Sequence, residues 1–156
     1  VRDHQIKRAT TAIFPIMLDI GLIPAIRILV TSMKPNLITE VKIERNFEKL
    51  DNPVDNVIPP FTRIAVYRFV EEALGNVLRH SGENKAIVNL EAAGRGQLTI
   101  NVKDNGYGCD PTKLLPGVGM ALMSDRIHAA GGSWTFTSSK GVGSTVNCVV
   151  PIDSVG

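Results

Sequence analysis

The sequence predicts an α+β domain: helices packed on one face of a mixed, mostly antiparallel sheet, forming a two-layer α/β sandwich. Three observations carry this. One long segment repeats apolar residues at helical spacing, five shorter segments read as strands, and glycines gather at the junctions between elements. Eight of the fourteen glycines lie between Gly106 and Gly143, where backbone must turn tightly or approach a ligand.

In chain order, two short helices are expected up to about Met33. Ala12 to Val30 is long enough to span a bilayer. Asp19 and Arg27, each costing about 2.5 to 3.5 kcal/mol near a membrane centre, and two prolines argue instead for a buried or interface helix. A strand is expected from Glu40 to Glu48, followed by a loop from Glu48 to Val57. Pro59 and Pro60 then set the entry of a long helix that Ser81-Gly82 ends. Its buried stripe is Val66, Phe69, Val70, Ala73, Leu74 and Val77. At 100° per residue, Glu72, Asn76, Arg79 and His80 share a neighbouring stripe at the edge of the buried face. Taken alone, that row could be a solvated helix edge made of i,i+4 polar pairs.

The loops downstream change its meaning. Strands are expected at Ala86 to Ala92 and Gln97 to Lys103, the second running into Asp104-Asn105-Gly106-Tyr107-Gly108. Gly117-Val118-Gly119 opens a helix reaching Ala130, with Met120, Leu122, Met123 and Ile127 on it, and Gly131-Gly132 stops it. Gly141-Val142-Gly143-Ser144-Thr145 joins the strand patterns Ser133 to Thr137 and Val146 to Val150. Each loop has an ordinary reading as a hairpin or a connection. In this order they describe a nucleotide site, with free amides at a helix start suited to phosphate oxygens.

Composition fits a single compact domain of 156 residues, and a net charge of +2 is too small to imply nucleic-acid binding. Cys109 and Cys148 form neither a metal spacing nor a disulfide framework, which suits a reducing cytosol. Cys148, in an apolar strand, reads as a core residue.

The set of motifs resembles the GHKL ATPases, the superfamily of gyrase, the large heat-shock chaperone, histidine kinases and mismatch-repair proteins. Arg63-Ile64 through Glu72-Ala73-Leu74-Gly75-Asn76-Val77-Leu78-Arg79-His80-Ser81 looks like the N box, and Asp104-x-Gly106-x-Gly108 like the G1 box. Gly117-x-Gly119 with Met123 and Arg126 looks like the G2 box, and Gly141 to Thr145 like the last glycine box. The wording is most similar to bacterial sensor histidine kinases of the nitrate-sensor type. The Glu-Ala-Leu-x-Asn-x-x-Arg-His form, the short lid between Gly108 and Gly117, and the run Met123 to Ile127 favour that branch. The resemblance covers about residues 12 to 151. Met120 replaces the usual leucine and Ser144 the usual threonine, both conservative changes.

The resemblance implies the Bergerat variety of the sandwich, with ATP and Mg²⁺ as cofactors. By motif match, Asn76 is expected to bind Mg²⁺ through its amide oxygen, and Glu72 to act as general base or to polarise the attacking group. Arg79 and His80 are expected to face the phosphates, with the amides of Gly117, Val118 and Gly119 closing over them beside Met123. Asp104 is expected to accept a hydrogen bond from the adenine amine, with Gly106 and Gly108 turning beneath the base and Ser144 or Thr145 adding a hydroxyl.

As implied partners, the kinase phosphorylates a histidine on its own dimerisation domain and relays the group to a LuxR-type response regulator. The full-length protein is expected to be a homodimer, cytoplasmic or anchored in the inner membrane, and this fragment a monomer or weak dimer. His4, preceded rather than followed by its acid, and His128, on the helix after the second glycine loop, do not read as the phosphoacceptor. The same resemblance implies that residues 1–34 are the end of the dimerisation region with connecting helices, and 35–156 the catalytic domain. Alternatives are a regulatory nucleotide-binding module without productive transfer, or another GHKL ATPase.

Overall fold

The computed structural model describes residues 18–80, 82, 84–93, 96–108 and 118–152. Residues 18–20 are helical. The elements after them are α1 (Leu22–Ser32), β1 (Ile38–Ile43), α2 (Arg45–Leu50), α3 (Pro60–His80), β2 (Lys85–Ala93), β3 (Gln97–Asp104), α4 (Val118–Ala129), β4 (Ser133–Ser139) and β5 (Gly143–Pro151). The five strands form one sheet in the order β1-β2-β3-β5-β4. Only β1 and β2 pair in parallel; the other three pairings are antiparallel. The expected α+β sandwich on a mixed, mostly antiparallel sheet is what forms.

Strand alternation decides which face is covered. Ala86, Val88 and Leu90 of β2, Leu98, Ile100 and Val102 of β3, and Val146, Cys148 and Val150 of β5 are buried. They form one core with the expected stripe of α3, from Val66 to Val77, and with Leu22, Ala25, Ile26 and Leu29 of α1. Burial pushes the Cys148 thiol up to about 12, so it sits in the strand as a neutral core side chain. The opposite face is polar: Asn89, Asn101 and Asn147 stand side by side across β2, β3 and β5. Asn89 Nδ2 donates to Asn101 Oδ1 at 3.2 Å.

The strand expected over Glu40 to Glu48 is corrected. The Glu44 amide makes a last bond to the Leu90 carbonyl, 2.9 Å, and the chain turns into α2. One helical turn aims Phe47, fully buried, and Leu50, partly buried, into the core, as three-residue spacing on a helix allows. Val41, Ile43 and Phe47 share one strand parity, interrupted by Arg45, and only Val41 and Ile43 lie in a strand.

Two buried polar groups lock α1 and the 18–21 segment onto the domain. Asp51 accepts from the free amides of Leu22 at 2.8 Å and Ile23 at 2.7 Å, capping α1 from far along the chain. Asn56 Nδ2 donates to the same carboxylate at 2.8 Å. Arg63, buried on α3, donates from Nε to the Ile58 carbonyl at 3.0 Å and from Nη1 to the Leu18 carbonyl.

Candidate functional site

The site has two ends. The first is the edge of α3, where an unbroken helix carries Glu72, Asn76, Arg79 and His80 beside the buried stripe. Arg79 Nη2 donates to Asn76 Oδ1 at 2.8 Å and lies 3.7 Å from Glu72 Oε1. Glu72, Asn76 and Arg79 of the expected row therefore form one polar cluster, with an acid and an amide oxygen drawn to a single cation. Its side chains are accessible: Glu72 and Asn76 are half-buried, Arg79 and His80 exposed. Arg79 and His80 also occupy the last helical turn, where positive charge faces the negative end of the helix dipole.

The second end lies where β3 leaves the sheet. Asp104 is buried at 6% exposure, its Oδ1 accepting the Gly106 amide at 2.8 Å. The carboxylate has no other bond among the described residues, which leaves an acceptor available inside a buried wall. Ser144 is the strand partner of Asp104. Its hydroxyl lies 2.8 Å from that of Ser138, which also bonds the Gly143 carbonyl at 3.2 Å.

Backbone packing holds this end together. Gly143 adopts φ 128°, and a Cβ there would fall 2.2 Å from the Asp104 carbonyl oxygen. Gly108 adopts φ 65°, and its Cβ would fall 2.1 Å from the Ser139 carbonyl oxygen. The Gly141 amide donates to the Tyr107 carbonyl at 2.6 Å. So the two glycine loops press main chain against main chain, an approach that only glycine permits. Tyr107 joins the two ends, since its ring lies where a Cβ on Gly82, just past α3, would sit at 2.0 Å.

Ser144 and Thr145 separate by strand parity. Ser144 shares the covered face with Val146 and Cys148, whereas Thr145 pairs with Lys103 on the polar face, across the sheet from Asp104. Val118 and Gly119 open α4, and Met123 is buried where α4 packs on α3. Gly117 and Cys109 lie outside the described residues, as do His4 and Ser81. Three contributors went unread in the sequence: Ser138, Tyr107 and the packing role of Gly82. Pairing β4 with β5 places Ser138 opposite Ser144, a register that the sequence does not specify.

A divalent cation here would need outside ligands. Among the described residues, no group of three or more His, Cys, Asp or Glu side chains is placed to hold a metal. Asn76 Oδ1 is nevertheless a hard oxygen already bonded to a cation, with a carboxylate beside it, and this donor set suits an ion that keeps waters and takes phosphate oxygens.

A sandwich with an acid-amide-base row on its long helix and a buried aspartate between two glycine loops is a nucleotide-binding ATPase domain of the GHKL class. Residues 62–154 match the histidine kinase-, DNA gyrase B- and HSP90-like ATPase family, and the chain belongs to it. The curated relatives it matches are histidine kinases. It is 29% identical over 139 residues to the signal transduction histidine-protein kinase/phosphatase DegS of Bacillus subtilis, covering 86% of this chain and 35% of that protein. It is 30% identical over 143 residues to the sensor histidine kinase NarS of Mycobacterium tuberculosis, covering 88% and 31%. The chain thus spans about a third of the length of the curated relatives it matches. Similar folds occur in the blue-light-activated histidine kinase of Erythrobacter litoralis, with TM-score 0.66, 19% identity, and 85% of this chain and 42% of that one covered. The histidine kinase AdeS of Acinetobacter baumannii gives TM-score 0.65 at 15% identity, covering 86% and 66%. No helix among the described residues is long and apolar enough to cross a membrane.

Proposed function

We propose that this chain is the catalytic fragment of a longer protein-histidine kinase, moving the γ-phosphoryl group of ATP to a histidine on a dimerisation domain. The observation that carries the reading is the pairing of two unlike ends: a buried Asp104 acceptor wedged between glycine loops, and an accessible Glu72-Asn76-Arg79 cluster one helix away. Asp104 accepts from the adenine amine while Gly106 holds its other oxygen. Ser144 presents its hydroxyl beside it. Asn76 would hold Mg²⁺ through Oδ1, where the ion would supply charge to offset the phosphates. Arg79 and His80 meet the phosphates, the amides at the start of α4 cover them, and Glu72 takes a proton from the attacking imidazole or polarises it. Phosphoryl transfer asks mainly for such positioning and charge stabilisation.

Residues 1–34 then lead from the dimerisation region, and 35–156 hold the nucleotide. The full-length protein works as a homodimer in the cytoplasm or anchored to its membrane, and its phosphohistidine serves a LuxR-type response regulator. Calorimetry with ATP, with and without Mg²⁺, tests the nucleotide half of this reading. Incubation with radiolabelled ATP and a supplied dimerisation domain tests the transfer. Label on the acceptor histidine supports a kinase; nucleotide binding without label identifies a regulatory module.

A further inference from the structure

We infer that Arg79 is a built-in counter-cation that occupies the divalent-metal seat and leaves it when metal and nucleotide arrive together. This rests on the nucleotide-site reading above and adds a device that couples the two ligands. A single nitrogen of Arg79 bridges the site's two oxygen donors, 2.8 Å from Asn76 Oδ1 and 3.7 Å from Glu72 Oε1. That pose lies close against a second residue. The guanidinium folds back along the helix over Gly75, where a Cβ would meet Arg79 Nη1 at 3.1 Å, Nη2 at 3.5 Å and Cζ at 3.6 Å. Apart from proline, glycine is the poorest helix former, so its place in the middle of α3 calls for a reason. Room for the guanidinium supplies one.

A dication on the same amide oxygen would face the positive charge of the Arg79 guanidinium. The metal therefore displaces the guanidinium from Asn76. Phosphate groups give the released guanidinium a new anionic partner within reach of the same helix turn. Metal alone offers no such partner, so the seat resists a divalent ion until a nucleotide accompanies it. By reciprocity, the nucleotide gains affinity from the metal by the same factor.

The test follows Mn²⁺ in ¹⁵N-labelled protein, using paramagnetic broadening of the Asn76 side-chain amide, first without nucleotide and then with ADP. Arg79→Ala should lower the Mn²⁺ midpoint without nucleotide by about threefold or more, the size of one partly exposed charge interaction. It should also shrink the Mn²⁺-ADP coupling. Arg79→Gln, with similar length but no charge, should behave as Arg79→Ala. Gly75→Ala crowds the guanidinium and should shift the midpoint the same way in the parent but not in the Arg79→Ala background. A midpoint that stays within about twofold of the parent, or rises, in Arg79→Ala overturns the exchange. If the parent still binds ADP in that case, the nucleotide-site reading stands. No ADP binding by the parent, with or without metal, overturns both.

Discussion

The two ends of the site are built from different materials. At the Asp104 end, main chain is pressed against main chain and the Asp104 carboxylate is buried. At the α3 edge, half-buried and exposed side chains are held mainly by one another. A rigid end selects a ligand by shape and by a fixed acceptor, whereas an adjustable end can exchange partners as charge arrives. The contrast predicts that crowding the main chain at the first end damages the fold, while side-chain changes at the second damage binding alone.

The largest effect should come from Gly143→Ala. It adds a Cβ 2.2 Å from the Asp104 carbonyl oxygen at a φ of 128°, which should cost about 2 to 4 kcal/mol from backbone strain and overpacking. Urea unfolding measures this, and ATP affinity should fall with it. Gly141→Ala, at φ 81° with nothing within 4 Å, should cost only about 1 to 2 kcal/mol. Equal losses for the two would show that close approach is not what holds the loops together.

Asp104→Asn comes next. The amide oxygen can still accept from Gly106, so the fold should survive while the charge proposed to strengthen an adenine contact is lost. ATP affinity should drop about tenfold, near 1.4 kcal/mol, with or without Mg²⁺. Asn76→Ala sharpens the contrast from the other end. Its unfolding free energy should stay within about 0.5 kcal/mol of the parent, as for a surface change, while the Mg²⁺-dependent part of ATP binding disappears. Calorimetry of both variants with Mg²⁺ and with EDTA separates the two roles.

What the sequence made legible follows the same division. The row Glu72, Asn76, Arg79, His80 is local, since helical spacing alone puts the four on one stripe, and the structure keeps them there. The strands that carry Asp104 and Ser144 are legible through their alternation. The packing between loops is not, because Gly143 against Asp104 and Gly108 against Ser139 depend on register between distant strands. The same holds for Asp51, which caps α1 from 28 and 29 residues away. The misread end of β1 has a local cause: Phe47 is apolar at a spacing that serves a strand or a single helical turn, and only the core around it decides.

Ser144 and Thr145 provide the finest test, because adjacent hydroxyls differ there only in the face they occupy. The alternation Ser144, Val146, Cys148, Val150 already distinguishes them, since a side chain in step with a buried strand face lies on that face. Ser144 stands opposite Asp104, with its hydroxyl fixed by Ser138. Thr145 stands opposite Lys103 and Thr137 on the polar face. Ser144→Ala should therefore weaken ATP binding by about 0.5 to 1.5 kcal/mol, one hydrogen bond's worth, and leave Ser138 with its bond to Gly143. Thr145→Ala should change ATP affinity by less than about 0.5 kcal/mol, as a surface substitution does. Equal losses from the two variants would mean that nucleotide affinity responds to the strand as a whole, and the division between a rigid reading end and an adjustable charged end would then fail at its most local point.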